Sequence, residues 1–210
     1  MTGTTRKLGR PADVDSTATR QRVLQVARVL FARNGYDGTT NRAIAEAADL
    51  TPGAIYHYVE SKAVLYAEVY EEVQTYIYAA FEKAVVGKHT LAERFTAVLD
   101  AAVELSRTDA SITGFIVGVP AEAERHPELR ELIRPVRRRH SGFLGQLARE
   151  AKAHGEIADD VSPRAVEDLL AAVLGGLARL ATSNLDADRH AEAVGAVKRL
   201  LGGTLVRPPR

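Results

Sequence analysis

Cysteine and tryptophan are absent from the 210 residues, methionine occurs once, and aromatic side chains fill only 6% of positions. Without cysteine there is no disulfide framework and no thiolate nucleophile, which fits a reducing compartment. The opening stretch MTGTTRKLGRPADVDS lacks the apolar run of a secretory signal, and no apolar run elsewhere reaches membrane-spanning length. A cytoplasmic protein with no membrane partner is therefore expected. Alternation of apolar and polar residues, the mark of half-buried strands, is missing throughout. Also missing are a G-x-S-x-G elbow, a phosphate-binding G-x-x-x-x-G-K-[ST] loop and a dinucleotide fingerprint. The six histidines are scattered, with no His-x3-His and no H-E-x-x-H. The expectation is accordingly no catalytic residue, no metal site and no cofactor. An enzyme built on a helical bundle would need a polar constellation that the sequence does not display.

Charge is balanced overall at +1, but unevenly spread. Residues 1–62 carry nine Lys/Arg against six Asp/Glu, or +3, and the remainder carries 19 against 21, or −2. The basic excess sits at the start of the chain. Nearly every segment has helical period, so the fold class is all-α, with about nine helices. The first runs from about Ser16 to Asn34, with Val23, Ala27, Leu30 and Phe31 on one face and Gly35 as its stop. A short helix follows at about 40–48, then a turn at Asp49-Leu50, then a third helix capped by Thr51 with Pro52 at its first position. A long helix begins at Ser61 and reaches about Val86, with Leu65, Val69, Val73 and Ile77 every fourth residue. Further helices are expected at about 91–107, 110–124, 127–154, 162–184 and 187–202. The organisation that follows is an arm over 1–15, a helix-turn-helix unit over 16–62 with its motif at about 40–59, and a C-terminal bundle over 63–210.

Two short helices joined by a tight turn form a helix-turn-helix, whose second helix enters the major groove by its N-terminal end. That end reads Thr51, Pro52, Gly53, Ala54, with almost no side chain to hold the backbone off the bases. Pro52 and the Ala54 methyl suit thymine methyl groups. Tyr56, His57 and Tyr58 follow one turn later, long enough to reach phosphate oxygens. Tyr56 has a second reading as a core aromatic, and His57 is a solvated or phosphate-facing side chain rather than a pH switch. Lys62 adds a cation at the start of the next helix, and Arg42 is the one long side chain placed for a bidentate guanine contact. Arg6, Lys7 and Arg10 are either a minor-groove arm or a plain basic tail.

The segment GYDGTTNRAIAEAADLTPGAIYHYVESKAVL, residues 35–65, resembles the DNA-binding segment of the TetR family of transcriptional regulators. The resemblance rests on Gly35, Tyr36, Thr39, Thr40, Ile44, Ala45, Ala48, Thr51, Gly53, Ile55, Tyr56, Tyr58, Ser61, Lys62 and Leu65. Asp49 departs from the glycine usual in the turn, and Val59 from the usual phenylalanine; aspartate tolerates the left-handed conformation a turn requires. By position the resemblance implies DNA contacts at Thr40, Arg42, Thr51, Pro52, Gly53, Ala54, Tyr56, Tyr58 and Lys62, with His57 at a more variable place. It also implies a double-stranded operator, a homodimer and an effector pocket in the C-terminal bundle.

For that pocket the candidates are Tyr78, Phe81, Phe95, Leu99, Phe115, Val119, Phe143 and Leu147, each of which is equally suited to a plain core. Arg137, Arg138 and Arg139 are either a solvated face or an anion site at a pocket mouth. The dimer contact is expected on the last two helices, through Leu170, Val173, Leu174, Leu177, Val194, Val197 and Leu201, with Gly175 and Gly176 allowing close approach. The resulting expectation is a repressor released from a palindromic operator by a largely apolar small molecule. The alternative is a cytosolic helical ligand-binding or adaptor protein that does not serve DNA.

Overall fold

The computed structural model describes residues 12–140, 142–183 and 187–206. Among them are nine α-helices, one 3-10 helix and no strand. The expected arm at Arg6, Lys7 and Arg10 lies outside the described residues. Helix α1 (Ala12–Asn34) starts earlier than the expected Ser16, and α2 spans Asn41–Ala47. Next comes the 3-10 helix Ala54–His57, followed by α3 (Lys62–Val85), α4 (Leu91–Thr108) and α5 (Ala110–Arg125). The stretch expected as one helix over 127–154 is two, α6 (Pro127–His140) and α7 (Gly142–Ala153); α8 (Pro163–Thr182) and α9 (Ala187–Leu201) complete the chain. No helix among the described residues is long and apolar enough to cross a membrane.

Local chemistry sets the helix starts. The hydroxyls of Thr40, Ser61, Thr90 and Ser162 each accept the backbone N–H three residues on, which satisfies one of the unpaired donors of a first turn. At α4 the cap is reciprocal, because Glu93 accepts the Thr90 N–H at 3.1 Å. Asp49 holds φ +55°, the left-handed conformation the turn requires, as the aspartate there leads one to expect.

Packing divides the interior into two clusters, and the division does not fall at residues 62–63. The first cluster joins Val23, Ala27, Phe31, Ile44, Ile55 and Val59 to Leu65, Val69 and Val73 of α3. It runs on into Ile112, Phe115 and Val119 of α5 and Leu129, Ile133 and Val136 of α6. The second lies at the far end, with Phe81, Phe95, Leu99, Leu147, Leu170 and Val194. Ile77 packs against both. The N-terminal helices thus share one core with the upper half of the bundle, and α1 packs against both α3 and α5.

Candidate nucleic-acid interface

Thr51 begins the segment of interest. Its carbonyl and hydroxyl both accept the Ala54 N–H, at 3.0 and 3.3 Å, closing a tight first turn. The recognition element expected as a helix from Pro52 is a four-residue 3-10 turn. Only Val59 N–H to Ile55 O closes an α-type bond at its end, and so short a segment uses the tighter winding. Ile55 and Val59 are buried and fix its inner side, so valine in place of the usual phenylalanine still seats this end in the core. Thr51, Pro52, Gly53, Tyr56 and His57 face outward, while Ala54 and Tyr58 are half-buried. Tyr56 is 63% exposed, which removes its reading as a core aromatic, whereas Tyr58 packs against the first cluster.

Gly53 is the decisive position. Its φ of −81° and ψ of −32° suit any residue, and a Cβ built there would meet nothing within 4 Å. No constraint inside the chain requires glycine. A bare backbone at the outermost point of an exposed turn is instead what close approach by an outside partner needs. Gly35 is the opposite case, with φ +71° and a Cβ that would stand 2.9 Å from Glu122 Oε1.

Around this tip, Arg42 lies on α2 with its side chain 78% exposed, paired with Glu46 at 2.9 Å across one helical turn. Thr40 is exposed and caps α2. Lys62 is placed differently from the expectation of a phosphate contact. Its ammonium donates to the carbonyls of Tyr36 at 2.9 Å and Thr39 at 3.1 Å and lies 4.1 Å from the Tyr36 ring centroid. It binds the loop between α1 and α2 to the start of α3.

Several contacts that brace this unit and hold it to the bundle are invisible to sequence reading. Arg22 donates to the Ala48 carbonyl at 3.0 Å, steadying the turn. Arg20 pairs with Glu68 of α3 at 2.7 Å. Arg28 pairs with Asp109 and donates to Ser111 Oγ at 3.0 Å, tying α1 to the start of α5. Burial works against the Asp109 charge, but hydrogen bonds from Ser111 and the Arg28 guanidinium prevail and hold its carboxyl below the usual range. The buried Glu122 accepts the Tyr36 backbone N–H at 3.2 Å. Only the spacing of Glu122 and His126, one helical turn apart, hinted at a shared face.

Turn geometry, an exposed bare tip and flanking groups able to reach phosphates describe a helix-turn-helix DNA reader. Comparison with known proteins agrees. Residues 23–69 match bacterial regulatory proteins of the tetR family, and residues 91–206 match the C-terminal domain of BetI-type transcriptional repressors. The chain belongs to the TetR family. It is a DNA-binding transcriptional regulator. It is 26% identical over 192 residues to the HTH-type transcriptional regulator UidR of Escherichia coli K12, covering 91% of this chain and 95% of that one. The structure of Salmonella enterica GusR aligns with TM-score 0.72 at 26% identity, over 95% of this chain and 99% of that one. Bacillus subtilis FadR, solved with stearoyl-CoA, shares the fold with TM-score 0.74 at 18% identity, over 89% and 99% of the two chains.

The residues expected around an effector divide between the two clusters. Phe115 and Val119 lie in the first; Phe81, Phe95, Leu99 and Leu147 are buried in the second, with Tyr78 and Phe143 packed at its edge. Leu99, Val119 and Tyr78 each border a different cavity. The cavity that touches Leu99 measures about 40 Å³, room for little more than a water. Roomier is a cleft of about 340 Å³ between α3, α5 and α6, where Ile116, Val119 and Ile133 meet Tyr70, Gln74, Arg130 and Arg137.

Among the expected dimer residues, Leu170 and Val194 are buried in the chain's own core, and Val173, Leu174, Leu177, Val197 and Leu201 pack against it half-buried. The outward face of α8 carries Leu169, Ala172, Gly175 and Gly176 instead, with Leu169 60% exposed and Leu200 of α9 59% exposed. Arg164, Asp168 and Arg179 are exposed on this same outward side at helical spacing, and the larger apolar side chains apart from Leu169 turn inward.

Proposed function

We propose that this regulator is a homodimeric repressor that leaves a palindromic operator when a small molecule occupies the cleft between α3, α5 and α6. The observation that carries the DNA side is Gly53: an exposed glycine with empty space around it and no internal reason to be one. Thr51, Pro52, Gly53 and Ala54 approach base edges, Arg42 reads a guanine, and Thr40, Tyr56, His57 and Tyr58 reach the strands. Two protomers joined through the outer face of α8 and α9 present two such tips to successive major grooves, about 34 Å apart. The regulator acts in the cytoplasm and has no catalytic chemistry of its own.

The effector reading rests on continuity of packing. Val119, Ala123 and Ile133 line the cleft and also belong to the cluster that contains Ile44, Ile55 and Val59. A ligand wedged there shifts α5 and α6 against α1 and α3 and so changes the spacing of the two tips. Apolar walls with Gln74, Arg130 and Arg137 at the rim suit an amphipathic molecule with a polar or anionic end. The stearoyl-CoA held by FadR has that character.

The test is a fluorescence-anisotropy titration on the region upstream of the gene, repeated at several salt concentrations. Binding that strengthens steeply as salt falls, and that unlabelled random duplex does not compete away, supports the reading. Absence of binding at low salt overturns it. A coupling of about 1–3 kcal/mol would let effector weaken operator binding roughly 5- to 150-fold.

A further inference from the structure

Where the loop after α1 meets the end of α5, three potential ligand atoms converge from two parts of the chain. Asp37, Glu122 and His126 each offer one, all within 4.8 Å of one another. His126 Nε2 stands 3.2 Å from Asp37 Oδ2 and 3.6 Å from Glu122 Oε2. Ligands on a tetrahedral ion with bonds of about 2.1 Å are separated by about 3.4 Å, so the two spacings from Nε2 are already those of a coordination shell, and the third pair lies within 4.8 Å.

The cluster is more than a meeting of acidic groups, because Glu122 is 6% exposed and its two oxygens are treated differently. Oε1 accepts the Tyr36 N–H at 3.2 Å and pairs with Arg125 at 2.8 Å. Oε2 is buried and has no hydrogen-bond partner. Two donors thus orient the carboxylate while its second oxygen is left bare toward His126 and Asp37. A buried charged oxygen with no partner is costly, and a cation between the three groups removes that cost. His126 Nε2 is hydrogen-bonded to Asp37 Oδ2, and the Glu128 carboxylate 3.6 Å from Nδ1 is placed to accept the ring's proton there once an ion takes the place of that bond. Asp37 is exposed and gives the ion its entry path.

We propose that Asp37, Glu122 and His126 form a binding site for a divalent transition-metal ion. One imidazole and two carboxylates suit Zn²⁺, Mn²⁺ or Fe²⁺, with water completing the shell. Asp37 lies beside the DNA-reading unit, whereas Glu122 and His126 belong to the bundle. The ion therefore pins one to the other. The proposal goes beyond operator binding and does not depend on it.

The experiment uses full-length protein freed of metal with a chelator, titrated calorimetrically with Zn²⁺ alone. One equivalent per chain at micromolar Kd or tighter is expected, together with a rise in Tm. Asp37→Asn, at an exposed position, should weaken binding at least tenfold and abolish the Tm rise, and His126→Gln should do the same. Asp159→Asn, far along the chain, should bind as the parent does. With Co²⁺ as probe, the absorption of an imidazole-bound ion should vanish in His126→Gln. Affinity no tighter than millimolar overturns the site, as does binding that both variants retain. A Tm that follows pH identically with and without Zn²⁺ also overturns it.

Discussion

The ammonium of Lys62 donates to the Tyr36 carbonyl at 2.9 Å and lies 4.1 Å from that residue's ring centroid, so one cation holds both the backbone and the side chain of a residue 26 positions earlier. A lysine at this place in the motif invites a phosphate-contact reading, and its geometry assigns it a structural task. Lys62→Met should therefore lower stability by about 2–3 kcal/mol, through two carbonyls without a donor and a lost cation–π contact. Chemical denaturation measures this. Among molecules still folded, the salt slope of DNA binding should stay unchanged rather than fall by about one.

Gly53 makes the reverse prediction. Gly53→Ala meets no atom within 4 Å and has ordinary helical angles, so the fold should gain about 0.4–1 kcal/mol from the stiffer unfolded chain. Operator affinity should nonetheless drop by about 1–3 kcal/mol, because the added methyl stands between backbone and bases. A variant more stable and less able to bind separates the two roles at one position. Unchanged affinity, read by anisotropy, counts against groove entry by this tip.

Arg42 and Glu46 form an exposed i,i+4 pair, and such pairs contribute little to stability. Arg42→Ala should shift unfolding by no more than about 0.5 kcal/mol. Its effect on discrimination between operator and single-base variants should reach about 1–3 kcal/mol at one base pair. A loss of affinity equal on all sequences would move Arg42 to the strands.

How much of this was legible without coordinates depended on how local each feature is. The reading unit is written in about thirty consecutive residues, with Thr40 and Ser61 as caps and Asp49 in the left-handed turn, so sequence located it. The internal role of Lys62 was not legible because its partners are carbonyls, which no residue type advertises. Phe95 and Leu99 were candidates for pocket walls, yet an apolar wall and an apolar core use the same side chains, and only packing distinguishes them. On α8, Leu170 was expected at a contact between protomers and is buried in the chain's own core, because a core-facing and a partner-facing leucine look alike in sequence. Asp37, Glu122 and His126 are separated by up to 89 positions, and no spacing rule reaches that far.

The Arg28–Asp109 pair joins α1 to α5 and should make stability depend on pH in a defined direction. Because the folded carboxyl sits below its ordinary value, its contribution is full at neutral pH and disappears as pH falls below about 4 and through the folded value. Asp109→Asn keeps the capping oxygen of α5 but removes the charge, isolating that contribution. At pH 7 the variant should be less stable by about 1–2 kcal/mol, and the gap should close as acid is added. A gap that persists at low pH would mean that the charge is not the cause.

The outward face of α8 supplies the last prediction. Gly175 and Gly176 lie in a helix interior, where each costs about 1 kcal/mol against alanine, and beyond the local helix backbone nothing lies within 4 Å of either missing Cβ. With exposed Ala172 beside them and the charges of Asp168 and Arg179 at either end, they form a flat face of small residues whose cost is recovered when a second helix lies close against it. Gly176→Glu should fold with unchanged helical circular dichroism, since its side chain projects into open space in the single chain. In analytical ultracentrifugation the parent is expected to sediment as a dimer and the variant as a monomer, because the new carboxylate would be desolvated at the contact without a partner. Operator affinity should fall with it, as two linked half-site contacts become independent ones. A dimer that survives this substitution would place the protomer contact on another face.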